Sequence, residues 1–262
     1  MKKTYARDYT LQELMVVVAA RDLRDGEKVF VGIGIPQLAA VLAQRTHAPN
    51  LVLIYESGTI AAKPMRTPLS IGDPTLTSGA GGIYNFIETF SYLLQRKFID
   101  VGFLGGAQID KYGNINSTVI GGYEQPKVRL PGSGGGCDIA ALAKRFILIS
   151  PHEKRRFVEK VDFVTSPGYL DHPTAREKLG LTGGPSAVVT TMGVLRFDDA
   201  TKEMRLDSYH PGVSIAQIKE NTGWDLKISP SLKETEPPTE DQITLLREKI
   251  DPEGYYLKKV EA

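Results

Sequence analysis

The sequence predicts an α/β protein, with a mostly parallel central sheet flanked by helices and an antiparallel strand section in the C-terminal third. Three observations carry this expectation. Strand-like and helix-like segments alternate through the first two-thirds of the chain, the pattern of a parallel sheet with helical crossovers. Residues 51–55 and 101–104 are near-continuous apolar runs of strand length, as strands buried on both faces should be. Beyond residue 186, short apolar stretches separated by turn residues replace that alternation, as consecutive antiparallel strands would.

The elements follow in order. Thr10 and Glu13 stand three apart as a capping box, and Leu11, Leu14, Met15, Val18 and Ala19 share one face, so a helix is expected over 11–24, stopped by Gly26. A strand at 29–31 runs into the turn Gly32-Ile33-Gly34-Ile35-Pro36, whose proline suits the start of a helix over 37–44. Residues 56–82 hold little regular signal. Ile83, Phe86, Ile87, Phe90, Leu93 and Leu94 form a 3.6-period apolar stripe, which predicts a helix over 83–97.

Strand 101–104 ends in Gly105-Gly106, and residues 107–136 read as loop. A short helix at 139–144, a strand at 146–150 and a strand-like run at 161–165 follow. Residues 187–191, 194–197 and 204–207 read as antiparallel strands joined by the turns Met192-Gly193 and 198–201. Ser214 with Gln217, and Thr239 with Gln242, cap helices reaching about 221 and 249. Three prolines in 229–238 suggest an extended surface loop. One domain spanning 1–262 is expected, with a peripheral tail from about 229.

Composition excludes several classes. Of 262 residues, 41% are hydrophobic, and 32 basic side chains balance 31 acidic ones. Disordered chains are less apolar and more unbalanced, and a nucleic-acid partner would call for a basic excess. The longest apolar run, 14–20, is far shorter than a membrane span. Cys137 is the single cysteine and has no internal disulfide partner. The charged start lacks the apolar core of a secretory signal. A reducing, cytoplasmic setting is the expectation.

Several motifs fall away on inspection. Gly32-x-Gly34 lacks the third glycine of a dinucleotide loop, since position 37 is Gln. No Gly-Lys dipeptide occurs, so there is no Walker loop. His152-Glu153 is followed by Arg156 where a zincin needs its second histidine. Pro131 breaks a Gly-x-Ser-x-Gly elbow around Ser133. The histidines are scattered, so a metal site has no support.

Two features can carry chemistry. Glu56 ends an apolar strand, in Tyr55-Glu56-Ser57-Gly58. It is either a surface group at a strand end or a carboxylate held at an active edge. An ordinary glutamate is ionised at neutral pH and attacks as a nucleophile without a base. The tract Gly132-Ser133-Gly134-Gly135-Gly136 exposes backbone N–H groups. It is either a flexible turn or a holder for an oxyanion or a phosphate. Glu56, Gly105-Gly106 and Pro151-His152-Glu153 each follow a predicted strand, which in α/β sheets is where sites gather.

These segments together resemble the B subunit of the family I CoA-transferases, and within it the glutaconate type. The resemblance rests on Gly32-Ile33-Gly34-Ile35-Pro36, Glu56-Ser57-Gly58 and Gly105-Gly106-Ala107-Gln108-Ile109-Asp110. It continues through Tyr112-Gly113-Asn114-Ile115-Asn116-Ser117-Thr118, Gly132-Ser133-Gly134-Gly135, His152-Glu153-Lys154-Arg155-Arg156-Phe157, Thr165-Ser166-Pro167-Gly168 and Ile250-Asp251-Pro252. Order and spacing agree from about residue 9 to 252.

The resemblance implies a CoA-transferase fold of the NagB/RpiA-like kind and a ping-pong transfer of CoA between carboxylic acids, here short dicarboxylates such as glutaconate. It implies that Glu56 attacks the acyl-CoA, giving a bound anhydride and then a glutamyl-CoA thioester. The oxyanion and CoA-binding positions are Gly134 or Gly135 in the glycine tract, with Ser133 and Gly136 beside them.

Lys154, Arg155 and Arg156 meet CoA phosphates, form a solvated basic surface or pair inside the fold. Asn114, Asn116 and Ser117 either line the acid pocket or satisfy loop backbone. Ser57 and Gly58 shape the turn, and Cys137 reads as a small packing residue. CoA and acyl-CoA enter as substrates, with no permanently bound cofactor or metal. The resemblance also implies a homologous A subunit, with the site at the A–B junction and the isolated chain inactive. Two rival readings keep the fold: an acyl-CoA hydrolase, decarboxylase or ring-opening hydrolase, of which Glu56 argues against the decarboxylases and ring-opening hydrolases but leaves a thioester hydrolase open, and a non-catalytic ligand-binding protein.

Overall fold

The computed structural model describes residues 3–181 and 183–257. Residues 1–2, 182 and 258–262 of the expected domain lie outside them. The expected single domain resolves into two compact units, Met1–Phe103 with Glu236–Ala262, and Leu104–Thr235. The α/β architecture is as expected, parallel strands with helices and an antiparallel section.

The first unit opens with α1 (Leu11–Arg21). The Thr10 hydroxyl accepts the Glu13 N–H at 3.1 Å, and the Glu13 carboxylate accepts the Thr10 N–H at 2.7 Å. Then come β1 (Lys28–Phe30), α2 (Ile35–Arg45), β2 (Val52–Ile54), β3 (Thr59–Ile60), β4 (Gly82–Ile83) and β5 (Val101–Leu104). Within this unit the strand order is β5-β1-β2-β3-β4. The β5, β1 and β2 strands run parallel, and β3 and β4 return antiparallel. Leu14, Val29, Leu38, Leu53 and Val101 are fully buried between the layers, each stabilising by roughly 1.5–3 kcal/mol.

The predicted helix over 83–97 is corrected in both extent and burial. Ile83 belongs to β4, paired with Thr59. Regular winding covers 86–94, α-helical over 86–87 and a π-helix over Glu88–Leu94. Asn85 and Glu88 cap each other across the entry, at 2.9 and 2.8 Å, which sets the helix start at Phe86, three residues later than expected. Leu94 is buried and Phe90 meets Phe30 edge-on at 5.3 Å. The leading members of the stripe, Ile83, Phe86 and Ile87, face solvent.

The C-terminal tail is not peripheral. Its capped helix (Glu240–Leu245) continues into a π-helical turn (Leu246–Ile250), burying Ile243, Leu246 and Ile250. Arg247 reaches the Glu13 carboxylate at 2.6 and 3.0 Å. Burial opposes ionisation of Glu13, but the Arg247 and Thr10 bonds outweigh it and hold the carboxyl below its usual range. One buried carboxylate thus caps α1 and anchors the tail.

The second unit contains two small hairpins where loop was expected: β6 (Gln108–Ile109) with β7 (Ile115–Asn116), and β8 (Val119–Gly121) with β9 (Pro126–Arg129). Next come α3 (Gly136–Leu142), β10 (Arg145–Ser150), α4 (Ala175–Lys178), β11 (Pro185–Thr190), β12 (Gly193–Phe197), β13 (Met204–Tyr209), α5 (Ile215–Glu220) and β14 (Lys227–Glu234). The β10 and β11 strands are parallel, and β11, β12 and β13 form the expected antiparallel section.

The expected loop at 229–238 is largely β14, parallel to β13. Its register jumps from Leu206↔Ile228 to Ser208↔Lys233, so Pro230 sits in an edge-strand bulge where no ladder N–H is needed. The strand expected at 161–165 does not form; the Thr165 and Ser166 N–H groups donate to the Ile115 carbonyl at 2.8 and 3.1 Å, and Ile115 N–H donates back to Ser166 O at 3.0 Å, an isolated bridge. Among the described residues no helix is long and apolar enough to cross a membrane.

Two histidines are sealed inside this unit. His152 bridges the Thr190 and Thr222 hydroxyls at 3.1 and 3.0 Å, and His210 lies 3.0 Å from the Thr235 hydroxyl and 2.9 Å from the Thr190 carbonyl. Burial pushes each imidazole down to about 4, and for His152 the neighbouring His210 adds to it. In the unfolded chain both would take a proton near pH 6.5. Below that pH the unfolded state binds more protons, so stability is fully present above 6.5 and is lost as pH falls towards 4. Each histidine accounts for on the order of 3 kcal/mol of this loss. The urea midpoint should therefore be level from pH 8 to 7 and fall below 6.5, more gently in His210→Gln. A midpoint level down to pH 4.5 would contradict this.

Candidate active site

Glu56 sits at the tip of the β2–β3 hairpin. The turn is closed by Gly58 N–H donating to the Tyr55 carbonyl at 2.9 Å, and Tyr55 N–H donates to Thr59 O at 3.0 Å. Tyr55 is fully buried beneath it. Its hydroxyl has no partner among the described residues, and burial holds it well above the usual phenol range. Glu56 is half-buried and Ser57 exposed. Among the described residues no hydrogen bond or ion pair engages the Glu56 carboxylate. A buried base and a free tip present that carboxylate outward.

Gly58 explains why the turn is Glu-x-Gly. Its φ is +94°, a conformation that disfavours side chains. A Cβ there would also collide with the Tyr84 carbonyl. Tyr84 N–H donates to Gly58 O at 2.9 Å, clamping the turn to the chain beyond β4. The Tyr84 contribution is a backbone group, invisible to motif reading. Gly34, at φ +95°, opens α2 as the expected tight strand-to-helix turn.

The glycine tract lies in the second unit. It continues the β8–β9 ladder through Leu130 N–H to Thr118 O and Gly132 N–H to Ser117 O, at 2.9 and 2.8 Å. The Ser117 hydroxyl donates to the Gly132 carbonyl at 2.8 Å, and Ser117 N–H donates to the Thr165 hydroxyl. Gly132 and Gly134 have φ of +97° and +49°, with open space where a Cβ would stand. Gly136 N–H is used by Ser133 O at 2.8 Å, and the Ser133 hydroxyl donates to Gly134 O. The N–H groups of Gly134 and Gly135 have no acceptor among the described residues, so they alone in the tract's last three glycines are free for an oxyanion.

The other expected site residues are mostly engaged in architecture. The Asn114 amide donates to Asp110 and Leu170 O and accepts from Gly168 and Leu170 N–H. It also borders a cavity of about 520 Å³. The Asn116 amide donates to Gln108 and Val119 O and accepts from Thr118 and Val119 N–H. Arg155 and Arg156 pair with Glu153 at 2.7 and 3.2 Å, and Arg156 also reaches Gly106 O at 3.1 Å. Lys154 is exposed, with no ion pair among the described residues.

Gly106 is a packing glycine, since a Cβ there would strike the Ile115 side chain. Cys137 is exposed at the start of α3, which corrects its reading as a packing residue. Among the described residues no group of three or more His, Cys, Asp or Glu side chains is placed to hold a metal.

A family model described as coenzyme A transferase matches residues 13–221. The chain is 48% identical over 91% of its length to the B subunit of 3-oxoadipate CoA-transferase from Pseudomonas knackmussii, covering 92% of that protein. It is 44% identical to the B subunit of glutaconate CoA-transferase from Acidaminococcus fermentans, covering 94% of each. The crystal structure of glutaconate coenzyme A-transferase from Acidaminococcus fermentans superposes with a TM-score of 0.92 at 41% identity, over 98% of this chain and 100% of that one.

The Gly58 geometry makes a direct expectation. Gly58→Ala must accept a strained φ and push Tyr84 away, so it should lower unfolding stability by at least about 2 kcal/mol. Ser57→Ala, at an exposed position, should stay within about 0.5 kcal/mol of the parent. Urea denaturation of both variants measures this, and a Gly58→Ala protein as stable as the parent would refute the clamp.

Proposed function

Because the chain belongs to the coenzyme A transferase family, we propose that it is the B subunit of an enzyme that moves CoA between short dicarboxylic acids through a covalent intermediate on Glu56. The observation that carries the reading is the Glu56 carboxylate itself, raised on a clamped turn and engaged by no other group among the described residues. The named relatives act on 3-oxoadipate and glutaconate, both dicarboxylates, which supports the substrate class.

The steps balance without a cofactor. The Glu56 carboxylate attacks the thioester carbonyl of the donor acyl-CoA, forming a mixed anhydride and expelling CoA thiolate. The thiolate attacks the Glu56 carbonyl of that anhydride, releasing the donor acid and leaving a glutamyl-CoA thioester. The acceptor carboxylate attacks this thioester, giving a new anhydride and free thiolate. Attack of the thiolate on the acceptor carbonyl yields the product acyl-CoA and restores Glu56.

Each addition places negative charge on a carbonyl oxygen. Free backbone N–H donors are the groups suited to hold it, and losing one such donor costs about 3–4 kcal/mol in acyl-transfer sites. CoA binding energy remote from the thioester helps drive formation of the reactive intermediates. The homologous A subunit supplies the remainder of the site.

The test is to incubate the A–B pair with acyl-CoA and map CoA-dependent mass on the peptides. The adduct should fall on the peptide containing Glu56 and be absent in Glu56→Ala, with transfer reduced at least about a thousandfold. The chain alone should not turn over. Normal transfer by Glu56→Ala, or an adduct on another residue, would overturn the reading.

A further inference from the structure

The second unit holds a cavity of about 520 Å³ that the chemistry proposed for Glu56 does not use. Its walls come from three stretches, 110–114, 159–164 and 170–171, all within Leu104–Thr235. No residue of the glycine tract lines it. Its volume falls in the roughly 300–1,000 Å³ range of small-molecule sites. Tyr112, Val161, Val164 and Leu170 supply the apolar lining.

The cavity has a fixed frame. Leu170 lies at φ +63°, a left-handed backbone that a bulky side chain rarely adopts. Asn114 holds it there, accepting Leu170 N–H at 3.1 Å and donating to Leu170 O at 3.0 Å. The same amide donates to the buried Asp110 carboxylate at 2.9 Å. Strained residues persist only where their surroundings over-determine them, and they cluster at ligand sites.

The charges in the lining select the ligand. Asp110 is already answered, since it also accepts the Tyr112 and Asn114 N–H groups at 3.0 and 3.1 Å. Lys111 lies 3.9 Å from Glu159 and 3.7 Å from Glu203, so that cation is balanced too. Lys160 and Asp171 remain, and their side chains have no hydrogen bond or ion pair among the described residues. They stand on different stretches of the wall. A lone ammonium would select an acid, and a lone carboxylate an amine. Both, in a lining shared with Val161, Val164 and Leu170, select a molecule that carries both charges on an apolar body. We propose that this cavity binds a free α-amino acid with a large apolar side chain. The amino acid's carboxylate meets Lys160, its ammonium meets Asp171, and its side chain lies on the apolar wall.

The experiment titrates the full chain by calorimetry with L-phenylalanine, with hydrocinnamate, which lacks the ammonium, and with phenethylamine, which lacks the carboxylate. L-Phenylalanine should bind saturably at one site, and each half-ligand at least about tenfold more weakly. Lys160→Gln should weaken L-phenylalanine at least about tenfold and leave phenethylamine unchanged. Asp171→Asn should weaken L-phenylalanine as much and leave hydrocinnamate unchanged. Both residues are exposed, so thermal unfolding of each variant should match the parent, which separates a lost contact from a lost fold. No saturable binding of L-phenylalanine, or binding indifferent to both substitutions, overturns the proposal. Hydrocinnamate or phenethylamine binding as tightly as L-phenylalanine assigns the cavity to a plain acid or amine and overturns it as well. Competitive displacement of L-phenylalanine by CoA would assign the cavity to the transferred group, with the same consequence. None of these readouts depends on Glu56, so the two readings stand or fall separately.

Discussion

The backbone bond between Tyr84 N–H and the Gly58 carbonyl governs the geometry around Glu56. Gly58 has to lie at positive φ for its own N–H to close the turn onto Tyr55. That conformation leaves its carbonyl facing β4 and brings Tyr84 too near for any side chain at position 58. The buried Tyr55 ring fixes the turn from below. A carboxylate at the tip is then positioned by main chain alone, without spending its own oxygens on internal bonds.

The second unit solves a complementary problem by the same economy of means. Its glycine tract continues a β-ladder, so the loop is ordered by Ser117 and Thr118 carbonyls rather than by packing of its own side chains. Gly132 and Gly134 face open space. Their role is conformational: positive φ values that turn successive N–H groups out of the ladder. A carboxylate held by a turn and N–H groups held by a ladder extension are both backbone devices. Such devices tolerate wide change in the surrounding side chains, which suits a family whose named members act on different acids.

What was legible in the sequence was local. The capping pairs Thr10 with Glu13, Ser214 with Gln217 and Thr239 with Gln242 all form, because their partners lie within one helical turn. The turn chemistry of Glu56-Ser57-Gly58 was readable for the same reason. Features decided at a distance were not. The strand Lys227–Glu234 depends on its pairing with Met204–Tyr209, and a register jump absorbs Pro230. The small hairpins around Asn116 are held by amide bonds to Gln108 and Val119, which no propensity reports. The stripe from Ile83 to Leu94 shows the limit most directly. Periodicity reports that a face is apolar, but not whether this chain or another covers it.

On the role proposed for Glu56, its unengaged carboxylate is itself an argument about rate. An arginine paired with it would stabilise the resting anion, and that interaction would have to be surrendered as the oxygen formed a bond to the substrate carbonyl. Only contacts stronger in the transition state than in the ground state accelerate a reaction. A bare carboxylate avoids that penalty, while free donors stabilise charge only as it develops on the substrate. In the proposed reaction the cost is exposure: the same openness would admit water to an acylated intermediate. Closing the site permanently within one chain would exclude water and also the CoA thioester. On the proposed reading, walls divided between two subunits would exclude water on assembly while each half alone stays open to the thioester.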